Sequence, residues 1–295
     1  MEASLLAYSK GRGHKNKIPK SSRKMVKEKA YILGVMCGDG YLHRTKKDSY
    51  QVALQATDYD FVIYFTECMR KIYGLEPSIS EIKAKKSKWN DKLCSRLCSK
   101  EVFEDILSYG KFGTKNWRVP GIIKESSSSI KGSFLRGFYD SEGSVDSTRK
   151  IIAVSTNKEG MSNITELLCS LGIRPLNIKM IEGAENRSSC YVVKITGKNY
   201  IDLFEKNVGF SIKRKRDKLI SLIRGYKTNS RAKRDIKRLR GRMLLLRMEN
   251  KSYGYIAKEL NLPIATVWNN INRTHDIRGG TSRGSLGRAR RPLCS

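Results

Sequence analysis

Polar and apolar residues alternate in several short segments of the chain. Within residues 49–55, Ser49, Gln51 and Gln55 fall on one face and apolar residues on the other, and residues 92–98 alternate similarly. Alternation with a period of two predicts a strand with one buried face. The pattern therefore predicts antiparallel sheets with an apolar face packed on helices and a polar face free to meet a partner.

Segments with helical spacing separate these strands. Residues 60–73 and 163–171 have the apolar spacing of amphipathic helices. Taken along the chain, the elements are helix, strand, strand, helix, strand, strand, helix, and the same order then repeats. The expected fold class is α+β, with two pseudo-symmetric αββαββα subdomains.

The duplication is visible in the residues as well. Tyr-Gly-Leu-Glu-Pro at 73–77 recurs as Leu-Gly-Ile-Arg-Pro at 171–175, 98 positions later. A single repeat of this length indicates a duplicated subdomain rather than a solenoid. Aligning Gln55 with Ser155 places most of the remaining length difference in the first hairpin turn.

Two apolar helical segments each end in an acid and a glycine. They are Ile-Leu-Gly-Val-Met-Cys-Gly-Asp-Gly at 32–40 and Leu-Arg-Gly-Phe-Tyr-Asp-Ser-Glu-Gly at 135–143. Both carry small residues four apart, on one helix face, where they allow two backbones to approach closely. The small residues are Gly34 and Gly38 in the first segment and Gly137 and Ser141 in the second. We therefore expect the two helices to pack together and to bring Asp39 and Glu142 to adjacent C-termini.

Two carboxylates at adjacent helix C-termini repel each other and the helix carbonyls. A cation must compensate, and carboxylates with nearby main-chain carbonyls, such as those of Gly38 and Ser141, suit Mg2+. Paired metal ions support phosphodiester hydrolysis. Gly40 and Gly143, just past the helix ends, are expected in the left-handed conformation that glycine tolerates.

With these motifs the chain resembles the LAGLIDADG homing endonucleases of the single-chain, two-motif type. The resemblance covers roughly residues 30–225. The first motif has Cys37 where the family's first acid usually stands, whereas the second keeps Asp140. The resemblance implies that the acid before the final glycine, here Asp39 and Glu142, binds metal. It implies Mg2+ at two or three sites, with Mn2+ able to substitute.

The same resemblance implies a polar group and a basic group beside each acid. Gln55 is the candidate polar residue of the first half, and Ser155 or its neighbour Asn157 is that of the second. The candidate basic residues are Lys88 in the first half and Lys179 in the second, chosen among 59 lysines and arginines.

The charge of the chain predicts a polyanionic partner. There are 59 Lys and Arg against 28 Asp and Glu, a formal net charge of +31. No apolar run has the length of a membrane span and no signal peptide is evident, which favours nucleic acid over a membrane. Seven scattered cysteines without a C-x-x-C pair predict a reducing intracellular compartment rather than secretion.

The family resemblance implies that the partner is double-stranded DNA. A monomer would cut both strands of a long asymmetric site, with its sheets in the major groove. Arginine and glutamine pair favourably with guanine and adenine edges there. The candidate DNA-binding residues of the sheets and their turns are Ser49, Gln51, Arg96, Arg149 and Lys194.

Residues 243–275 resemble a helix-turn-helix of the resolvase or sigma-factor type. Asn261 would form the turn, and the recognition helix would begin at Pro263 or Ile264. The expected core residues are Ile256, Ala257, Leu260, Val267 and Ile271. The candidate base-contacting residues are Thr266, Asn269, Asn270 and Arg273. A helical pair that packs on the nuclease is the alternative for this segment.

The predicted domain organisation has six parts. They are a basic disordered arm (1–27), a first subdomain (28–120), a second subdomain (121–225), a basic linker (226–242), the helix-turn-helix-like module (243–275) and a basic disordered tail (276–295). Basic segments poor in apolar residues cannot bury enough surface to fold alone.

Two alternative functions remain open. Some bacterial transcription regulators resemble a LAGLIDADG fold joined to a C-terminal helix-turn-helix, with the catalytic acids lost. An RNA maturase would instead use the basic surface on its host intron RNA. The acids retained at both Asp39 and Glu142 favour the endonuclease.

Overall fold

The computed structural model describes residues 18–45, 49–84, 90–183 and 188–272. Its elements follow the predicted order. The first half contains α1 (Lys27–Met36), β1 (Gly40–Arg44), β2 (Tyr50–Ala56), α2 (Tyr59–Tyr73), β3 (Ser78–Ile82), β4 (Lys92–Cys98) and α3 (Lys100–Leu107). The second half contains α4 (Gly121–Glu125), α5 (Ser128–Glu142), β5 (Gly143–Asp146), β6 (Lys150–Ser155), α6 (Lys158–Ser170), β7 (Lys179–Ile181), β8 (Cys190–Thr196) and α7 (Lys198–Asn207).

Each half forms one four-stranded antiparallel sheet. The strand order is β1-β2-β4-β3 in the first sheet and β5-β6-β8-β7 in the second. The repeat in the sequence therefore corresponds to a repeat in topology. The predicted α+β class, with two αββαββα subdomains, is confirmed.

The core lies between the sheets and their helices, with α1 and α5 at its centre. Residues 30–36 of α1 are buried on every side, which explains why this helix has no polar face. In contrast, α2 and α6 are amphipathic and bury one side each, through residues such as Phe61 and Phe65, and Met161 and Ile164. The alternation of the strands is explained by the same packing, since their inner residues contact these helices.

Part of the segment predicted as a basic arm, residues 1–27, forms regular structure within the described residues. Residues 20–23 form a 3-10 helix in which Ser22 is buried, and α1 begins at Lys27. The predicted tail, residues 276–295, and residues 1–17 lie outside the described ranges.

Contacts divide the chain into two compact units, residues 1–226 and 227–295. The predicted basic linker, residues 226–242, is helical, because it belongs to α8 (Lys213–Met248), and lysine and arginine are good helix formers. The second unit continues with α9 (Tyr253–Glu259) and α10 (Ile264–Asn272). Its own core consists of Met243, Leu246, Ile256, Ala257, Val267 and Ile271.

The turn between α9 and α10 contains Asn261, which the sequence predicts as the turn residue. Asn261 adopts a left-handed backbone conformation with φ of 49°. Asparagine is one of the few residues other than glycine that tolerate this region. No helix in the described part of the chain is both long and apolar enough to cross a membrane.

Candidate active site

Helices α1 and α5 pack backbone against backbone. A Cβ atom on Gly34 would lie 2.0 Å from the carbonyl oxygen of Phe134, and one on Gly137 would lie 2.2 Å from that of Tyr31. These contacts are reciprocal, because each glycine meets the carbonyl three residues before the other glycine. Only glycine permits this approach, so the small residues of the two motifs fix how closely the helices meet.

The same packing continues to the C-terminal ends of the two helices. A Cβ atom on Gly38 would lie 2.4 Å from the Cβ of Ser141 and 3.2 Å from the Cγ of Glu142. Asp39 follows α1 and Glu142 is the last residue of α5. Both acids line one cleft of about 620 Å³. The structure thus brings together two carboxylates that are 103 positions apart in the chain.

The glycines after the two acids have a steric role, which corrects the prediction of left-handed conformations. Gly143 has φ of −92°, and Gly40 is not among the residues with positive φ. A Cβ on Gly143 would lie 2.4 Å from the Tyr139 carbonyl oxygen, and one on Gly40 would lie 3.0 Å from that of Val35. Each strand therefore begins so close to the preceding helical turn that no side chain fits.

The electrostatics of the cleft oppose ionisation of both acids. Loss of hydration and, after it, the charge of Asp39 raise the pKa of Glu142 to about 7. Asp39 opens onto the cleft, but protein atoms around its carboxylate still raise its pKa through loss of hydration. A site that resists two negative charges is suited to bind a cation, and carboxylate oxygens are hard ligands for Mg2+ or Mn2+.

Within the described ranges, no three His, Cys, Asp or Glu side chains come together as a metal cluster. The remaining ligands of a bound ion would have to be main-chain carbonyls, water and the substrate, which is usual for Mg2+.

Buried Lys215 lies under the end of α5. Its ammonium donates hydrogen bonds to the main-chain carbonyls of Tyr139, at 3.2 Å, and Asp140, at 2.5 Å. Burial lowers the pKa of Lys215. The lysine charge in turn opposes the rise in pKa of Asp39 and Glu142. Sequence reasoning missed this residue, because Lys215 stands in a run of four basic residues and nothing in the chain marks which one is buried.

Asp140, the other acid of the second motif, has a structural role. It is buried and accepts hydrogen bonds from the Tyr31 hydroxyl, at 2.9 Å, and from the backbone and side chain of Ser211. It therefore fastens α1 and the start of α8 to α5. Cys37 holds the equivalent position of the first motif and is also buried, where burial raises the pKa of its thiol.

Gln55 belongs to a polar network on the open face of the first sheet. Its amide donates a hydrogen bond to the Tyr41 hydroxyl at 2.8 Å. Gln55 also lines a separate recess of about 470 Å³, together with Lys83 and Lys92. The charge of Lys92 lowers the pKa of Asp39 against the effect of burial. Lys92, the first residue of β4, was not among the candidates from the sequence, where several other lysines precede it.

The pairing register corrects the predicted counterpart of Gln55. Gly40 pairs with Leu54 in the first sheet, and Gly143 pairs with Ala153 in the second. The residue after each partner is Gln55 in the first half but Val154 in the second. The register therefore aligns Gln55 with Val154 rather than with Ser155, a shift of one residue along the strand. Ser155 itself lines the cleft with Glu142, as the sequence predicts.

Asn157 and Lys179, which the sequence also predicts beside the acids, do not line the cleft. Asn157 caps α6: its side chain accepts from the Gly160 amide at 3.0 Å and donates to the Trp117 carbonyl at 2.6 Å. Lys179 begins β7, the edge strand of the second sheet, and is exposed. Lys88 lies outside the described residues.

Three of the predicted DNA-binding residues share the open faces of the sheets. Gln51 lies on the same face as Gln55, and the pairs Ala53–Arg96 and Ile152–Lys194 make Arg96 and Lys194 equivalent. Two others lie outside the strands. Ser49 precedes β2, and Arg149 lies in the turn between β5 and β6, with its guanidinium 5.3 Å from the ring centre of Tyr226.

In the second unit, the predicted base-contacting residues differ in exposure. Asn269 is exposed on α10, whereas Thr266 and Asn270 are half-buried. The main-chain carbonyl of Asn270 accepts a hydrogen bond from Arg240 at 3.1 Å, which places this side of α10 against α8. Arg273 lies outside the described residues.

A family model described as a LAGLIDADG-like domain matches residues 129–209 of the chain. An uncharacterized protein of Methanocaldococcus jannaschii is 32% identical over 209 residues, a match that covers 66% of this chain and 71% of the relative. The glutamine–fructose-6-phosphate aminotransferase of the same organism is 25% identical over 198 residues, which is 66% of this chain but 17% of that protein.

Similar solved structures include homing endonuclease I-DmoI. One I-DmoI structure has a TM-score of 0.46 at 18% identity, and its complex with DNA and Mn has a TM-score of 0.45 at 17% identity. They cover 64% and 63% of this chain and 97% of theirs. Full-length DUF199/WhiA from Thermatoga maritima gives a TM-score of 0.45 at 16% identity and covers 88% of this chain and 92% of its own.

Proposed function

The chain belongs to the LAGLIDADG family, and from this premise we propose that it is a site-specific double-strand DNA endonuclease that depends on a divalent metal. One observation carries the proposal: Asp39 and Glu142 meet at the abutting ends of α1 and α5, in one cleft, where burial and mutual repulsion raise the pKa of Glu142 to about 7. Burial and repulsion destabilise the ionised form of these acids, and a bound cation would offset that destabilisation.

Asp39 and Glu142 would hold the metal, with the main-chain carbonyls of Gly38 and Ser141 as further candidate ligands. The donor set favours Mg2+, for which Mn2+ can substitute. A bound divalent ion supplies activation of water and stabilisation of charge on a phosphate. Lys215 donates hydrogen bonds to the α5 carbonyls, and its charge opposes the rise in pKa of both acids. The charge of Lys92 also lowers the pKa of Asp39, and Gln55 donates a hydrogen bond to Tyr41, which lines the cleft.

Double-stranded DNA is the substrate that fits the rest of the surface. The chain has a formal net charge of +31, and both sheets keep one open face that carries polar or basic residues such as Gln51, Arg96 and Lys194. Two sheets with different side chains would read a long asymmetric site as a monomer. The second unit supplies a helical pair that we propose as an additional DNA-binding module.

Cleavage of a natural target tests the proposal. The full chain is incubated with a plasmid that carries the uninterrupted insertion site of its own gene, with Mg2+ or with EDTA. We expect linear DNA only with Mg2+, and a loss of at least 100-fold in cutting rate for Asp39→Asn and for Glu142→Gln. Glu166→Gln is the matched control, since Glu166 is exposed on α6 and pairs with Lys124.

A DNA-binding regulator without cleavage is the second candidate function. The helical second unit, with its own core and a left-handed turn at Asn261, favours it. Specific binding of the target without cutting in Mg2+ would establish this function and reject the endonuclease. Preferential binding of the host intron RNA would indicate a maturase instead.

A further inference from the structure

Helix α10 has an apolar outer surface. Val267 and Ile271 are buried in the core of the second unit, whereas Ile264 and Trp268, which are one helical turn apart, are 58% and 53% exposed. Ala265, next to Ile264 in the chain, is also exposed. These three exposed residues form the apolar face of α10. A group of exposed apolar side chains on one helix is typical of a binding surface.

The polar side chains of α10 are less available to a partner. Thr266 and Asn270 are half-buried, and the Asn270 amide donates a hydrogen bond to the Thr266 carbonyl at 2.8 Å. Asn272 is exposed, but its amide donates to the Trp268 carbonyl at 3.0 Å. Asn269 adds an exposed amide next to Trp268. A partner of this surface must therefore offer apolar groups as well as hydrogen-bonding groups.

Charge decides between the possible partners of α10. Residues 227–295 contain 17 lysines and arginines against four acids, and α10 itself has no acid. Two copies of so basic a segment repel each other, whereas a polyanion is attracted. The apolar face therefore fits duplex DNA better than a second copy of the chain.

The base edges of DNA present one kind of apolar group. In the major groove, thymine presents its C5 methyl group, whereas the other characteristic groups of the base edges are hydrogen-bond donors and acceptors. The major groove is also wide enough for an α-helix. Asparagine pairs favourably with adenine there, so Asn269 beside Trp268 suits the same A·T base pairs.

We propose that α10 lies in the major groove of the target DNA and that its apolar face selects thymine by contact with the C5 methyl group. This inference rests on the DNA binding in the proposed function but not on cleavage. Uracil pairs with adenine as thymine does but lacks the methyl group. Burial of one methyl group corresponds to roughly a fourfold change in affinity, so two such contacts would give on the order of tenfold.

Replacement of thymine by uracil tests the inference. The full chain is bound in EDTA to two duplexes of the same target sequence, one with thymine and one with deoxyuridine at every thymine position, and fluorescence anisotropy gives the ratio of the two affinities. We expect the natural protein to prefer the thymine duplex about tenfold. Ile264→Ala with Trp268→Ala should reduce this preference at least fourfold by weakening binding to the thymine duplex, and Trp268→Phe alone should retain most of it.

Single uracil substitutions locate the contact. Helix α10 has nine residues and is therefore roughly 14 Å long, which corresponds to about four base pairs of the duplex. The positions at which uracil weakens binding of the natural protein, but not of the double alanine variant, should lie within such a stretch. Scattered positions would overturn the inference.

Met248→Ala is the matched control, because Met248 is apolar and 80% exposed but belongs to α8. It should leave the thymine preference unchanged. Asn269→Ala should weaken binding to the target while retaining the preference, since it removes no apolar contact.

A double alanine variant that folds, by circular dichroism, and keeps the natural thymine preference would overturn the inference while leaving DNA binding intact. If that variant instead loses a self-association that the natural protein shows in sedimentation, the apolar face of α10 is an interface between copies. If the natural protein does not distinguish its target from a scrambled duplex, the proposed function itself fails.

Discussion

The ammonium of Lys215 donates a hydrogen bond to the main-chain carbonyl of Asp140 at 2.5 Å, beneath the last turn of α5. Helix C-termini carry partial negative charge on their free carbonyls. The buried lysine therefore offsets part of the cost of ending α5 in Glu142, beside a second acid. A cation from the chain itself supports the site before any metal binds.

Replacement of this lysine should destabilise the first unit. Lys215→Met keeps an apolar stem but leaves the carbonyls of Tyr139 and Asp140 without their charged donor. We expect the free energy of unfolding at pH 8 to fall by roughly 1.5–3 kcal/mol, measured by urea denaturation. The pKa of Glu142 should also rise above that of the natural protein. Lys218→Met, at an exposed position on the same helix, should change stability by less than about 0.5 kcal/mol.

Stability without metal should depend on pH through Glu142. The pKa of this acid is raised from 4.5 to about 7, so the folded state holds the proton more tightly than the unfolded chain. The free energy of unfolding in EDTA should therefore decrease as pH rises from about 4.5 to about 7, by up to roughly 3 kcal/mol, and then level off. Thermal unfolding at a series of pH values measures the decrease.

Glu142→Gln should remove that dependence, because the amide does not ionise. At pH 8 in EDTA the variant should be more stable than the natural protein, and near pH 4.5 the two should be alike. Glu166→Gln should keep the full pH dependence. An unchanged pH profile in the Glu142 variant would show that another group titrates in this window. Added Mg2+ should stabilise the natural protein more than the Glu142 variant.

Sequence alone predicted the parts of the site that depend on repetition. The duplicated order of elements, the small residues of α1 and α5 and the meeting of Asp39 with Glu142 all follow from spacing within the chain, since helix periodicity and close packing leave few other solutions. Strand register was harder to predict, because aligning Gln55 with Ser155 or with Val154 fits the apolar pattern of the strand almost equally well.

The cations of the site could not be predicted, because identical lysines differ only in their surroundings. Lys92 acts on Asp39 and Lys215 is buried beneath α5, yet both stand among other basic residues of the sequence. Their distinction depends on long-range packing that no local pattern records. The steric role of Gly143 could not be predicted for the same reason, since its close approach to the Tyr139 carbonyl depends on the direction in which β5 leaves α5.

Gly34→Ala should be among the most damaging single-methyl changes in the chain. The added Cβ would lie 2.0 Å from the carbonyl oxygen of Phe134, so that α1 and α5 must separate. We expect a loss of about 3 kcal/mol or more in the free energy of unfolding, together with weaker binding of Mn2+ as the acids move apart. Gly225→Ala is the control, since nothing lies within 4 Å of its Cβ and alanine favours the helix by about 1 kcal/mol. Equal effects of the two substitutions would contradict the close packing.

Salt-dependent binding should separate the two kinds of proposed DNA contact. Lys194→Ala removes a charge from the open face of the second sheet, so it should weaken binding to target and scrambled duplexes alike and reduce the slope of log affinity against log salt by about 1. Asn269→Ala removes an exposed uncharged group from α10. It should cost roughly 1–3 kcal/mol on the target duplex only and leave the slope unchanged. Fluorescence anisotropy in EDTA at several KCl concentrations measures both. If Asn269→Ala binds the two duplexes as the natural protein does, Asn269 does not read bases and α10 must bind in another way.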